Sequence, residues 1–202
     1  MNLPNKLTLM RVILVPVFVL FLLWRLPGTW GEILSRVLAF VFFLSAAITD
    51  FFDGKIARSR HLITNFGKFL DPLADKFMVF GAILGFTASD MYREPGVLHM
   101  VTTVAGLIVI LRDLAITSLR LVVVSGEDKT VVAASKLGKM KTGTQCAWIG
   151  TAILEPVLFF FLPFCKEWRV LTWATLILMT VMTILSGIDY LKTFKHVIDP
   201  RK

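Results

Sequence analysis

Cysteine and histidine are scarce in this sequence of 202 residues, with two of the former and three of the latter. Cys146 and Cys165 have neither metal-ligand spacing nor a disulfide framework around them, and Cys146 lies inside an apolar run, so both read as packing residues. His61, His99 and His196 are scattered and carry no assigned chemistry. Internal repeats and low-complexity segments are also missing, which removes the repeat signature of many transporters. Charged residues make up only 18%, and no nucleic-acid-binding module accompanies the formal net charge of +8. Membrane topology and attraction to anionic headgroups account for that charge without a nucleic-acid partner.

What the sequence has in quantity is apolar surface: 56% hydrophobic residues and a mean hydropathy of +0.75, beyond what a soluble domain normally carries. A bilayer core takes roughly 20 apolar residues per helix. The apolar runs predict an all-α polytopic membrane protein with about six transmembrane helices, near 7–24, 34–54, 69–88, 97–124, 142–162 and 169–191. The polar segments between them are too short for a second domain, so residues 1–202 are expected to form one integral-membrane domain. The first run opens with "NLPNKLTLMR" and is followed by no small-residue cleavage site, so it is expected to be retained.

Basic residues gather on one side of these spans: Lys6; Lys55, Arg58, Arg60 and Lys68; Lys129, Lys136, Lys139 and Lys141; and Lys192, Lys195, Arg201 and Lys202. The other side dilutes Arg25, Arg93, Lys166 and Arg169 with Glu32, Asp90, Glu94 and Glu167. The excess of Lys and Arg in cytoplasmic loops then predicts a cell-membrane (inner-membrane) protein with both termini in the cytoplasm.

Against this background the segment "DFFDGKIARSRHLITNFGKFLDPLAD", residues 50–75, is unusual, because it places Asp50, Asp53, Asp71 and Asp75 close together. Asp50 and Asp53 end the second span three residues apart, and Asp71 and Asp75 begin the third four apart, so each pair occupies one helix face. An antiparallel return brings the two faces together at the cytoplasmic edge. Ionised acids there are costly to desolvate and repel one another, so positive charge must sit among them. Hard oxygen ligands without His or Cys suit Mg²⁺, Mn²⁺ or Ca²⁺. A single such aspartate more often caps a helix or pairs with a cation, and Arg58, Lys68 and Lys76 are at hand. Four together, beside Gly54, Ala57 and Gly67, favour a metal site with a flat wall that admits a ligand, although small residues also serve helix packing.

Asp50, Asp53, Gly54, Ala57, Arg58, Gly67, Asp71 and Asp75 stand at the spacing D-x₂-D-G-x₂-A-R-x₈-G-x₃-D-x₃-D, which resembles the CDP-alcohol phosphotransferase signature at every fixed position. "NLPNKLTLMRVILVP" and "SKLGKMKTGTQ" resemble the branch that uses sn-glycerol 3-phosphate. The resemblance implies that family's membrane fold, a homodimer, and phosphatidyl transfer from CDP-diacylglycerol with release of CMP. It implies two divalent cations, Mg²⁺ or Mn²⁺, one held by Asp50, Asp53 and Asp71 and the other by Asp50, Asp71 and Asp75, with Asp75 also accepting the proton of the attacking hydroxyl. Gly54, Ala57 and Gly67 would line the cytidine and Arg58 would meet the diphosphate. Asn5 and Thr8 are candidates for nucleotide contacts by the same likeness.

An acceptor bearing a phosphate needs cations. Arg112 and Arg120 lie eight residues apart, near two helical turns, and Lys136, Lys139 and Lys141 open the fifth span. Lys141 reads equally well as a topology residue. Asp113 points about 100° away from Arg112 and is a doubtful partner for it. Glu155, beside Pro156, is open between a substrate path and a structural or subunit-contact role. The alternatives are another enzyme of the family, such as a cardiolipin synthase with phosphatidylglycerol as acceptor, and a cation transporter. A transporter would be expected to spread its acids through the membrane depth.

Overall fold

A computed structural model of the chain describes residues 2–24, 26–59, 65–89, 96–125, 136–160 and 168–194. It contains six long helices among the described residues: α1 Leu3–Leu23, α2 Thr29–Ser59, α3 Asn65–Ala88, α4 Val97–Ser125, α5 Lys136–Leu158 and α6 Val170–Thr193. Each matches one expected span. α1, α2, α4 and α6 are long and apolar enough to cross a membrane, and the protein is a multi-pass membrane protein. α3 and α5 are more polar because they carry the charges of the candidate site: Lys68, Asp71, Asp75 and Lys76 on one, Lys136, Lys139 and Lys141 on the other. Among the described residues α5 already runs from Lys136, ahead of its apolar run, and Lys141 in its second turn bonds Asp113 of α4.

α1 and α2 pack against each other as a hairpin. Gly28 takes φ +84°, which a side chain would resist, and the Leu26 amide donates to Ser35 Oγ at 3.1 Å. α3 packs on α1, α5 on α2 and α6, and α4 on α3 and α6. In lipid there is little hydrophobic force between helices, so close approach of small residues matters. Gly81 and Gly85 supply it on α3: a Cβ at Gly85 would stand 2.6 Å from Leu22 Cδ2, and one at Gly81 3.1 Å from Val15 and Val19. A Cβ at Gly106 of α4 would meet Ile83 of α3 at 2.5 Å. Phe18, Phe43, Phe86, Trp148 and Met179 fill the core between these contacts, with the Phe86 and Trp148 rings 5.1 Å apart. Leucines and isoleucines such as Ile13, Leu107, Leu111 and Ile177 point outward, as a lipid-facing surface requires.

Glu155 is buried and resolves to a structural role. It accepts from the Leu171 and Thr172 amides, each at 2.8 Å, and from Thr172 Oγ1 at 2.5 Å, so it caps the first turn of α6 from α5. The exposed Trp24, Trp30 and Trp168 lie at this same end of the bundle, as an aromatic belt does.

Candidate functional site

The opposite end gathers most of the buried ionisable side chains among the described residues. Arg11, buried on α1, places NH1 2.5 Å from Asp50 Oδ1 on α2, so the first signature acid is tied to the first helix. Asp75 on α3 lies within electrostatic reach of Asp50, Lys141, Arg11 and Asp113. The antiparallel return expected from the sequence therefore brings Asp50 and Asp75 together. Asp53, Gly54, Ala57, Arg58 and Asp71 belong to helices, but their side chains lie outside the described residues, as do His61, Cys165 and His196 altogether. Among the described residues no group of three or more acids, histidines or cysteines is placed to hold a metal. Asn5, Thr8 and Gly67 are buried near the ends of α1 and α3. Asn5, Thr8 and Arg11 recur every three residues, which sets them along one face of α1.

Beside Asp75 opens a cavity of about 230 Å³. α3 contributes Asp75 and Lys76, and α4 contributes Arg112, Asp113, Ile116, Thr117 and Arg120. α5 contributes Gly138, Lys139, Lys141 and Thr142, and α6 contributes Tyr190. The α4 residues follow the helical repeat and so form one stripe. Lys76, Arg112, Arg120, Lys139 and Lys141 outweigh Asp75 and Asp113, leaving the cavity net positive and suited to an anion. Four of the five cations expected to hold an acceptor phosphate thus share one space with Asp75. Lys136 is exposed and does not line it.

Asp113 corrects the sequence reading. Arg112 NH1 donates to Asp113 Oδ1 at 3.0 Å despite the divergent Cβ directions, because the long arginine side chain can bend back along the helix. Lys141 Nζ donates to both Asp113 oxygens, at 2.7 and 2.6 Å, with the two residues 6% and 7% exposed. Burial against Asp113 gives Lys141 more than a topological role. Thr117 Oγ1 donates to the Asp113 carbonyl at 2.8 Å and accepts from Lys76, joining α3 to α4.

Tyr190 was not singled out in the sequence, where one tyrosine near a helix end carries no signal. It lies under both arginines: its ring centroid is 5.6 Å from the Arg112 guanidinium carbon and 5.1 Å from that of Arg120, and its hydroxyl accepts from Arg120. Gly187, one turn earlier, makes room for Arg112, whose Cγ would stand 3.3 Å from a Cβ there. Arg11 was likewise missed, although its position three residues after Thr8 was a usable cue.

Acidic residues of α2 and α3 beside a cationic cavity at one end of a membrane bundle suit a protein that handles anionic substrates next to the lipid. The chain belongs to the CDP-alcohol phosphatidyltransferase family, whose pattern matches residues 1–187. It is 37% identical over 166 residues to the CDP-diacylglycerol–glycerol-3-phosphate 3-phosphatidyltransferase of Bacillus subtilis, covering 78% of this chain and 79% of that protein. A probable phosphatidylglycerophosphate synthase of Mycobacterium tuberculosis is 35% identical over 189 residues, 94% of this chain and 79% of its own length. The CDP-diacylglycerol–glycerol-3-phosphate 3-phosphatidyltransferase of Escherichia coli K12 is 37% identical over 155 residues, 77% and 78% of the two chains.

Proposed function

We infer that this chain transfers a phosphatidyl group from CDP-diacylglycerol to sn-glycerol 3-phosphate, giving phosphatidylglycerophosphate and CMP. The observation that carries the reading is that Asp75, the last signature acid, lines the same cavity as Arg112, Arg120, Lys139 and Lys141. A hydroxyl beside Asp75 and a phosphate among the cations are the two ends of a short phosphorylated alcohol. The relatives' names support the same acceptor.

Asp75 accepts the proton as the acceptor oxygen attacks the phosphatidyl phosphorus and the bond to CMP breaks. An aspartate suffices as base because bond formation acidifies the hydroxyl. Arg112, Arg120, Lys139 and Lys141 hold the acceptor phosphate through charge-assisted hydrogen bonds, which fixes the hydroxyl near the donor. On the donor side Arg58 meets the diphosphate, while Asn5, Thr8, Gly54, Ala57 and Gly67 line the nucleotide. The neighbouring carboxylates of Asp50 and Asp75, with no His or Cys in the set, fit Mg²⁺ or Mn²⁺ held together with Asp53 and Asp71. Two such ions would neutralise charge at the diphosphate. Arg11 keeps Asp50 in place from the side.

The exposed Lys6, Lys136, Lys139 and Lys192 at the site end support a cytoplasmic orientation, and likeness to the family supports a homodimer. A CMP-release assay with CDP-diacylglycerol and a panel of acceptors tests the reading. sn-Glycerol 3-phosphate should be used well ahead of glycerol, serine and phosphatidylglycerol. Equal use of glycerol or serine would contradict the cationic pocket, and preference for phosphatidylglycerol would make the protein a cardiolipin synthase.

A further inference from the structure

We propose that Asp113 is a positioning residue for the acceptor: it orients Arg112 and Lys141 so that their remaining donors meet the acceptor phosphate. The proposal rests on the reaction inferred above and assigns a role to an acid which that reaction does not require.

Asp113 is 7% exposed and spends both carboxylate oxygens on Lys141 and one of them also on Arg112 NH1. Arg112 is then fixed from three directions. Gly187 admits its stem, the Tyr190 ring lies against its guanidinium, and Asp113 takes NH1. Nε and NH2, the opposite edge of the fork, are buried without a hydrogen-bond partner among the described residues. That edge presents two parallel N–H groups, the geometry that receives two oxygens of one phosphate. Buried donors left unpaired are unfavourable, so the edge calls for an acceptor, and two phosphate oxygens meet it with charge assistance. Lys141, with two of its three N–H groups directed at Asp113, has a third to offer.

Two simpler accounts predict different signs. If only net charge mattered, an acid beside a phosphate pocket would repel the acceptor, and removing it would tighten binding. If Asp113 only neutralised buried cations, its loss would lower stability and leave acceptor affinity alone. Positioning predicts weaker acceptor binding with the donor unaffected.

The test measures sn-glycerol 3-phosphate binding by calorimetry, together with CMP release, for purified wild-type protein and for Asp113→Asn, Arg112→Gln and the double variant. Asp113→Asn is expected to weaken acceptor binding roughly tenfold or more, the equivalent of one charge-assisted hydrogen bond, with the KM for CDP-diacylglycerol unchanged. In the double variant the loss should fall well short of the product of the single losses, because Asp113 acts partly through Arg112. Tighter or unchanged acceptor binding in Asp113→Asn, or fully additive losses, would overturn the proposal. Should Asp113→Asn not fold, Lys141→Met with and without Asp113→Asn gives the same comparison without the buried ammonium. Wild-type protein that binds the acceptor but releases no CMP would overturn the inferred reaction, while the binding comparison would still decide the role of Asp113.

Discussion

Lys141 of α5 lies with its ammonium between both carboxylate oxygens of Asp113 of α4, at 2.6 and 2.7 Å, in a pair that is almost wholly buried. This contact spans 28 residues of sequence and holds one wall of the site cavity together. Breaking a buried pair by removing one partner strands the other charge. Lys141→Met should therefore lower stability by about 3 kcal/mol, the lower end for such a loss because Arg112 still faces Asp113. Chemical unfolding in detergent measures it, and an unchanged midpoint would contradict the pair.

Glu155 should behave in the opposite way with respect to function. Glu155→Ala leaves the Leu171 and Thr172 amides without their acceptor, a loss of about 1–3 kcal/mol. The site lies at the other end of the bundle, so specific activity of the folded fraction should stay at the wild-type level. A fall in specific activity with an unchanged unfolding midpoint would return Glu155 to a substrate path.

Arg112 and Lys136 separate the cavity from its surroundings. Arg112→Gln should raise the KM for the acceptor about tenfold to hundredfold, the loss of a charge-assisted hydrogen bond, while the donor KM changes little. Lys136→Gln should have a much smaller effect, since Lys136 is exposed and outside the cavity lining. Steady-state kinetics with each substrate varied in turn gives the comparison. A larger effect at Lys136 would move the phosphate site toward the start of α5.

Chelation should abolish turnover and Mg²⁺ or Mn²⁺ should restore it, because the acids at the site offer hard oxygen donors. Metal analysis alongside CMP release checks this. Full turnover in protein verified to be free of divalent ions would contradict the role given to the acids.

The helices were legible because lipid demands long apolar runs, and the acid cluster drew attention because four carboxylates in a greasy chain need a reason. Asp113 was not. Its decisive partner, Lys141, comes from a distant helix, and its neighbour Arg112 reaches it by bending a flexible side chain that helical geometry alone points elsewhere. Tyr190 was hidden for the same reason: its contacts with Arg112 and Arg120 cross from α6 to α4. Glu155 announced itself as a buried acid, but its role depended on where the start of α6 packed. Lys136 shows the converse, since a basic cluster read from sequence does not distinguish the lysine that faces the cavity from the one that faces outward.

If this end of the bundle joins a phosphatidyl group to a phosphorylated alcohol, the lipid product carries the acceptor's atoms. Purified protein is incubated with CDP-diacylglycerol, isotopically labelled sn-glycerol 3-phosphate and Mg²⁺, and the lipids are identified by mass spectrometry. Labelled phosphatidylglycerophosphate is expected, formed in step with CMP by the wild type and at a severely reduced rate by Asp75→Asn protein that still binds the donor. Unlabelled lipid product, or labelled product at an undiminished rate from the Asp75→Asn variant, would contradict it.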